Sequence, residues 1–396
     1  MANFTHSQAM PIAWALVLSA LVTVVIVCTV AGNVLVALAV ILVRKLREPG
    51  NYLLVSLAVA DFCVGIVVMP LGLVYLVTGS WQLGELLCNF WTSADVTLCT
   101  ASILNLCAIS VDRYWAITKP LTYAAAQRTT PRILCYIALV WLSALVISVG
   151  PLFAFQTPRP AGVCEVSQNI VYQIYATLGS FYVPCAVMLT VNYKILRAAQ
   201  RLTRNDVTHS ASVAQNINNC GLSKDQPDVN SCTRQSSRQS SSGTLGPIRH
   251  VLQHRVGNVF SWRFQHKQNH SHFFRHEGKA LKTLGLIMGA FITCWLPFFV
   301  LALIKPFCDR KSRCNIPTWL DSSVTWLGYM SSLINPIIYA KYNREFRIPF
   351  REMLCCRFST LQSVLRTEMF TIKYGPTNLH DEEETNLRMN HHKPSF

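Results

Sequence analysis

Residues 95–114 read DVTLCTASILNLCAISVDRY. The stretch is apolar enough to lie inside a bilayer, yet Asp95 opens it and Asp112-Arg113 stands near its close. As a helix rising about 1.5 Å per residue, the eighteen steps from Asp95 to Arg113 span roughly 27 Å, close to a hydrocarbon thickness of roughly 30 Å. One helix thus carries a carboxylate towards one membrane face and a guanidinium at the other. Charge within a membrane costs at least about 2.5–3.5 kcal/mol on insertion scales, so Asp95 is read first as a functional group. The plainer reading is a buried carboxylate paired with a neighbouring helix.

The rest of the chain fits around that helix. Of 396 residues, 51% are hydrophobic and only 14% charged, against about 25% charged in an ordinary soluble domain, which makes this a membrane protein. The net charge of +16 lies in segments between apolar runs, so its acidic partner is the membrane surface rather than nucleic acid. The first apolar run, from about Met10 to Val43, lacks a basic leader and is too long for a signal-peptide core; it is expected to be a retained span. Most of the fifteen cysteines sit in apolar runs, where a thiol behaves as a small hydrophobe.

Seven segments are long enough to cross a bilayer: roughly 11–42, 49–77, 85–117, 131–154, 169–200, 279–305 and 317–340. Nothing in them alternates like a barrel strand, so their backbone groups can be satisfied in lipid only as helices. The expected fold is an all-α seven-transmembrane helix bundle, with residues 1–10 as an extracellular N-terminus and 11–200 forming helices one to five. Residues 201–278 are rich in Ser, Asn, Gln, Arg and His and read as a disordered cytoplasmic loop, before helices six and seven in 279–340. Within that loop Ser236, Ser237, Ser240 and Ser241 follow arginines, a spacing that suits basic-directed kinases. Phe346, Phe350 and Leu354 recur at helical spacing among basic residues, so 341–356 reads as an amphipathic helix on the inner leaflet, with Cys355 and Cys356 as palmitoylation candidates; 357–396 forms the tail. Arg44, Lys45 and Arg47 after span one, and Arg344, Arg347 and Arg351 after span seven, place the N-terminus outside, where Asn3 is a glycosylation sequon. Lys305, Arg310, Lys311 and Arg313 argue weakly the other way.

Four constellations carry chemistry. Asp95 suits an organic cation, since an ammonium about 4 Å away is worth about 4 kcal/mol at an effective dielectric of about 20. Trp295, Phe298 and Phe299 flank Pro297 in CWLPFF, giving aromatic faces for a cation beside a helix-breaking proline. Glu277 lies eighteen residues before Trp295, which puts Trp295 near the depth of Asp95 and Glu277 near that of Arg113, so an Arg113–Glu277 ion pair is expected. Asn33, Asp61, Ser102 and Asn335 are polar groups in four separate spans, able to hold a sodium ion or relay a rearrangement, with Pro336 expected to let segment seven unwind beside them. On the outer side, Cys88 with Cys164 and Cys308 with Cys314 are candidate disulfides.

Across all seven spans the chain resembles rhodopsin-like G protein-coupled receptors. GN at 32–33, LAVAD at 57–61, DRYWAI at 112–117, Trp141, Pro184, CWLP at 294–297 and NPIIY at 335–339 occur in family order. Asp95 with CWLPFF and WLGY at 326–329 is similar to the biogenic-amine branch, and RKLREPGNYLLVSLAVAD with YQIYATLGSFYVP most resembles invertebrate serotonin receptors of the type-seven kind. The resemblance implies that Asp95 binds the ligand amine, that Thr177 and Ser180 face an indole or its hydroxyl, and that Val96, Cys99, Thr100, Val166, Trp295, Phe298, Phe299, Trp326 and Tyr329 line the pocket. Ala176 stands where catecholamine receptors carry a serine, which favours an indoleamine. Asp112, Arg113, Tyr114, Glu277, Pro297, Asn335, Pro336 and Tyr339 would serve activation and G-protein coupling, and Asp61, Ser102 and Asn335 a sodium site. Two departures stand out: Asn192 replaces a tyrosine that meets Arg113 on activation, and Ser331 replaces an asparagine beside the sodium site.

The reading is a plasma-membrane receptor for serotonin, coupled to a heterotrimeric G protein that stimulates adenylyl cyclase, with kinases, arrestin and lipids as further partners. Dopamine, octopamine or tyramine is the alternative ligand. An amine transporter is the alternative class, against which stands the lack of an inverted repeat. No nucleophile–base or metal-ligand cluster suggests an enzyme, and no cofactor is expected beyond an allosteric sodium ion.

Overall fold

The computed structural model describes residues 11–118, 128–154, 159–198, 200–201, 283, 285–308, 316–357 and 363. The apolar segments form helices: α1 (Ile12–Leu42), α2 (Pro49–Thr78), α3 (Gly84–Thr118), α4 (Thr130–Ala154), α5 (Ile170–Ala198) and α6 (Gly285–Cys308) are each long and apolar enough to span a membrane. The seventh, α7 (Thr318–Tyr342), is a 25-residue helix whose run of Ser331, Ser332 and Asn335 makes it more polar, and α8 (Arg344–Leu354) follows after Asn343. Large apolar side chains cover the outside, with Trp14 68% and Val146 64% exposed. Such a surface is stable against lipid and not against water. The chain is a multi-pass membrane protein built as a seven-helix bundle.

α3 is the axis of the bundle. Its buried positions run from Cys88 to Ile117, because it is surrounded rather than lying at the edge. It packs on α2 and α4 and meets α5, while α1 packs on α2 and α7. Ala60, Ala101, Val140 and Ala144 let α2, α3 and α4 approach closely, as small residues do where lipid gives helices no hydrophobic reason to associate. Polar pairs tie the same helices together: the Trp141 indole donates to Ser56 at 3.1 Å, and Thr97 bonds to Ser148.

Among the described residues, two helices contain a π turn, each just ahead of a proline. In α2 the turn Val64–Val68 is a π turn, closed by the Met69 N–H to the Val64 carbonyl and followed by Pro70. In α5 the turn Leu178–Tyr182 repeats the device, with the Val183 N–H reaching Leu178 and Pro184 next. A proline cannot donate to the carbonyl four residues back and its ring crowds that carbonyl, so widening the preceding turn by one residue relieves both problems. Pro336 behaves differently. α7 runs unbroken through it, so the local unwinding expected there is absent.

The α8 helix is amphipathic as expected. Asn343 caps it by accepting from the Glu345 N–H at 3.1 Å, and Phe346, Phe350 and Met353 are buried, the Phe346 ring 5.5 Å from that of Tyr339. Arg347 and Arg351 face outward, Lys45 of the α1–α2 connection pairs with Glu345 at 2.9 Å, and Cys355 and Cys356 are exposed just past the helix. Asn3, Glu277, Cys314 and nearly all of the 201–278 segment, with its serines, lie outside the described residues.

Candidate functional site

Asp95 sits on α3, one helical turn before Cys99. Its Oδ1 accepts the Cys99 thiol at 3.3 Å and its Oδ2 accepts the Tyr329 hydroxyl of α7 at 3.1 Å. An ionised carboxylate has about four lone-pair positions, so two bonds leave capacity over. Among the described residues no cation lies within ion-pair distance of it. The neighbouring-helix partner is therefore a neutral hydroxyl, and among the described residues no cationic side chain answers the carboxylate's charge.

Aromatic rings from three helices gather beside it. Tyr329, 1% exposed, holds its ring edge-on to Trp326 at 5.5 Å and to Trp295 at 6.3 Å. Trp295 meets Phe298 at 5.6 Å and Phe299 at 5.7 Å, and Phe299 stacks on Phe181 of α5 with centroids 4.4 Å apart. The Trp295 indole is fixed twice over: its N–H donates to Ser331 at 2.8 Å, and Gly328 lies so close that an added Cβ would come within 2.8 Å of the ring. Ser331 is thus committed to the tryptophan and makes no bond to Asp61.

On α5, Ala176, Thr177 and Ser180 are buried. The Thr177 hydroxyl donates to the Gln173 carbonyl at 2.6 Å and that of Ser180 to the Ala176 carbonyl, so both are satisfied by their own helix. The π turn begins directly after Thr177 and contains Ser180. Val96 is half-buried, and Thr100 and Cys99 are buried. Val166 is two residues past Cys164, in the segment joined to α3 by the Cys88–Cys164 disulfide. That segment is pinned further: Trp81 donates to the Gly162 carbonyl at 2.8 Å, Arg159 bonds to Asn89, and Lys305 of α6 pairs with Glu165 at 3.6 Å and Asp321 at 2.7 Å. Cys308 is disulfide-bonded as well.

Deeper in the bundle lies a second carboxylate. Asp61 is fully buried and accepts from Ser102 and Ser332 at 2.9 Å each and from Asn335 at 2.8 Å. Asn33 joins this set by donating to the Thr29 and Ser332 carbonyls at 2.9 and 3.1 Å. Ser332, which bonds Asp61 directly, was not among the residues singled out from the sequence. Its signal was there, one position from Ser331 and three before Asn335.

At the Arg113 end, the expected ion pair with Glu277 lies outside the described residues. The Arg113 guanidinium donates to Asn51 at 3.4 Å, and Asp112 pairs with Arg128 at 3.0 Å. Tyr114 is half-buried with its ring 5.5 Å from Trp115. The Tyr339 hydroxyl, buried, has no hydrogen-bond partner among the described residues. Asn192 of α5 donates to the Met188 carbonyl at 2.7 Å and to the Met288 sulfur of α6, which the Ser110 hydroxyl of α3 also approaches at 3.9 Å. The departure at Asn192 therefore builds a contact among α3, α5 and α6.

Residues 32–339 match the family model described as "7 transmembrane receptor (rhodopsin family)". The chain is also similar to "5-hydroxytryptamine receptor 1" of Drosophila melanogaster, 44% identical over 360 residues, which covers 84% of this chain and 63% of that protein. The chain thus spans under two thirds of the length of that relative.

Proposed function

The chain belongs to the seven-transmembrane receptors of the rhodopsin family, and we propose that within it the protein binds a biogenic amine, serotonin, and signals through a heterotrimeric G protein. As a receptor of this family it is not an enzyme, and the transporter reading falls away. The observation that carries the amine is Asp95: a carboxylate inside an apolar bundle, unpaired with any cation among the described residues and faced by Tyr329 and the Trp295 cluster. An ammonium there would gain about 4 kcal/mol from the charge and add cation–π attraction from the rings. Val96, Cys99, Thr100 and Val166 complete the wall, with Phe298, Phe299 and Trp326 around the ring system.

Ala176 favours serotonin over a catecholamine, because it offers a methyl group where a catechol needs a hydroxyl. Thr177 and Ser180 can turn from their backbone acceptors to an indole hydroxyl. At the other end, Arg113 and Tyr114 meet the G protein, and Asp112 beside them sets the state of Arg113 in activation. Pro297, Asn335, Pro336 and Tyr339 carry the rearrangement between the two ends, and Asp61 with Ser102 and Asn335 offers an allosteric sodium site. The N-terminus is extracellular and the protein resides in the plasma membrane. There Asn3 is glycosylated, Cys355 and Cys356 are palmitoylated, and kinases and arrestin act on the cytoplasmic segments.

Cyclic AMP in cells expressing the chain tests this reading, with serotonin, dopamine, octopamine and tyramine as ligands and Asp95→Ala in parallel. A rise at the lowest dose for serotonin, absent in the variant, is expected. A best response to another of the four amines would replace the ligand. A fall in cyclic AMP would move the coupling to an inhibitory G protein.

A further inference from the structure

The Glu48-Pro49-Gly50-Asn51 stretch at the start of α2 touches the charged groups at the Arg113 end in two different ways. Asn51 accepts from Arg113 at 3.4 Å, the long edge of hydrogen-bond range, and so holds that guanidinium loosely. Glu48 accepts from Arg128 at 3.3 Å, while the other terminal nitrogen of Arg128 reaches Asp112 at 3.0 Å. Between them Gly50 makes room. A Cβ on it would stand 1.9 Å from the Arg128 Nη2 and 2.8 Å from the Asp112 Oδ2.

Asp112 is only 1% exposed, so its charge is weakly screened and its choice of cation is set by geometry. Two guanidiniums compete for it: Arg113, its chain neighbour, and Arg128, delivered from the start of α4. The planar fork of Arg128 satisfies Asp112 and Glu48 together, which a lysine's single ammonium cannot do at two separated carboxylates.

We propose that Arg128 is a positioning residue for Arg113: by occupying Asp112 in the space that Gly50 leaves, it keeps Asp112 from closing on Arg113 and leaves Arg113 available to the G protein. The inference rests on Arg113 being the coupling residue. Removing Arg128 takes away the guanidinium that Asp112 now holds and lets the carboxylate turn to the adjacent one, which lowers signalling. Gly50→Ala reaches the same end without deleting any charge, since the flexible end of Arg128 must swing away.

The experiment measures basal and serotonin-stimulated G-protein activation per surface receptor. It compares the full chain with Arg128→Ala, Gly50→Ala, Asp112→Asn and the Asp112→Asn/Arg128→Ala double variant. Both Arg128→Ala and Gly50→Ala are expected to lower the signal about fivefold, the lower end of typical coupling between sites. The double variant is expected to return to at least the parent's signal, because without the carboxylate nothing captures Arg113. Signals at or above the parent's for the two single variants would overturn the proposal. So would a double variant as weak as Arg128→Ala, which would mark a packing defect instead. Silence of the unaltered chain with every G protein would overturn the coupling reading itself and this inference with it, and is told apart because it involves no variant.

Discussion

Asp95 and Asp61 are both carboxylates inside the membrane span, and they are kept in opposite ways. Asp61 receives three hydrogen bonds, one from α3 and two from α7. Asp95 receives two, one of them from a thiol, a weak donor. The first is a structural knot between helices; the second is an incomplete coordination shell held next to aromatic rings. Burial alone would rank Asp61 as the more unusual residue. The partners set Asp95 apart as the carboxylate with the fewer and weaker bonds.

The largest expected effect separates the two directly. Asp95→Ala should weaken serotonin binding about a thousandfold, the loss of about 4 kcal/mol, while surface expression persists. Asp61→Ala should leave binding within about tenfold but strand the Ser102, Ser332 and Asn335 donors, costing about 3 kcal/mol of stability. A thermal-inactivation midpoint on solubilised receptor measures that cost. Equal loss of binding in both variants would break the comparison. Tyr329→Phe removes the one hydroxyl that orients Asp95 across to α7 and should weaken serotonin binding about tenfold, seen in displacement of a bound radioligand. Ser331→Ala leaves the Trp295 indole without its acceptor and should cost about 1 kcal/mol, again read by the inactivation midpoint. An effect of Ser331→Ala matching that of Asp61→Ala would mean that the serine belongs to the deeper knot after all.

The seven spans were legible because lipid leaves a chain few options: apolar runs of sufficient length can only be helices. Asp95, Trp295, Phe298 and Phe299 were legible for a related reason, since charge and proline are costly in such runs and stand out. Groups whose role depends on register between distant helices were not. Phe181 stacks on Phe299 only because the π turn of α5 offsets the face on which it lies, and nothing in an aromatic-rich stretch announces that offset. Arg128 looks like one loop cation among many until Gly50 and Asp112 are seen around it. Nothing in the sequence around Asn51 announces that it meets Arg113 from the start of α2.

The π turn in α5 also bears on how this chain tolerates insertions and deletions. Each α-helical residue advances the face by about 100°. The π turn holds one residue more than an α turn, so removing Leu178 or Gly179 would restore an ordinary turn and leave both flanks on their faces. A deletion in the regular part of α5 would instead rotate everything on one side of it by about that angle. Such a rotation would turn Ala176 and Thr177 away from the buried face they now share, although neither had been touched. This turn absorbs the loss of one residue as a loop does, so 178–182 is where α5 can change length without turning its buried face.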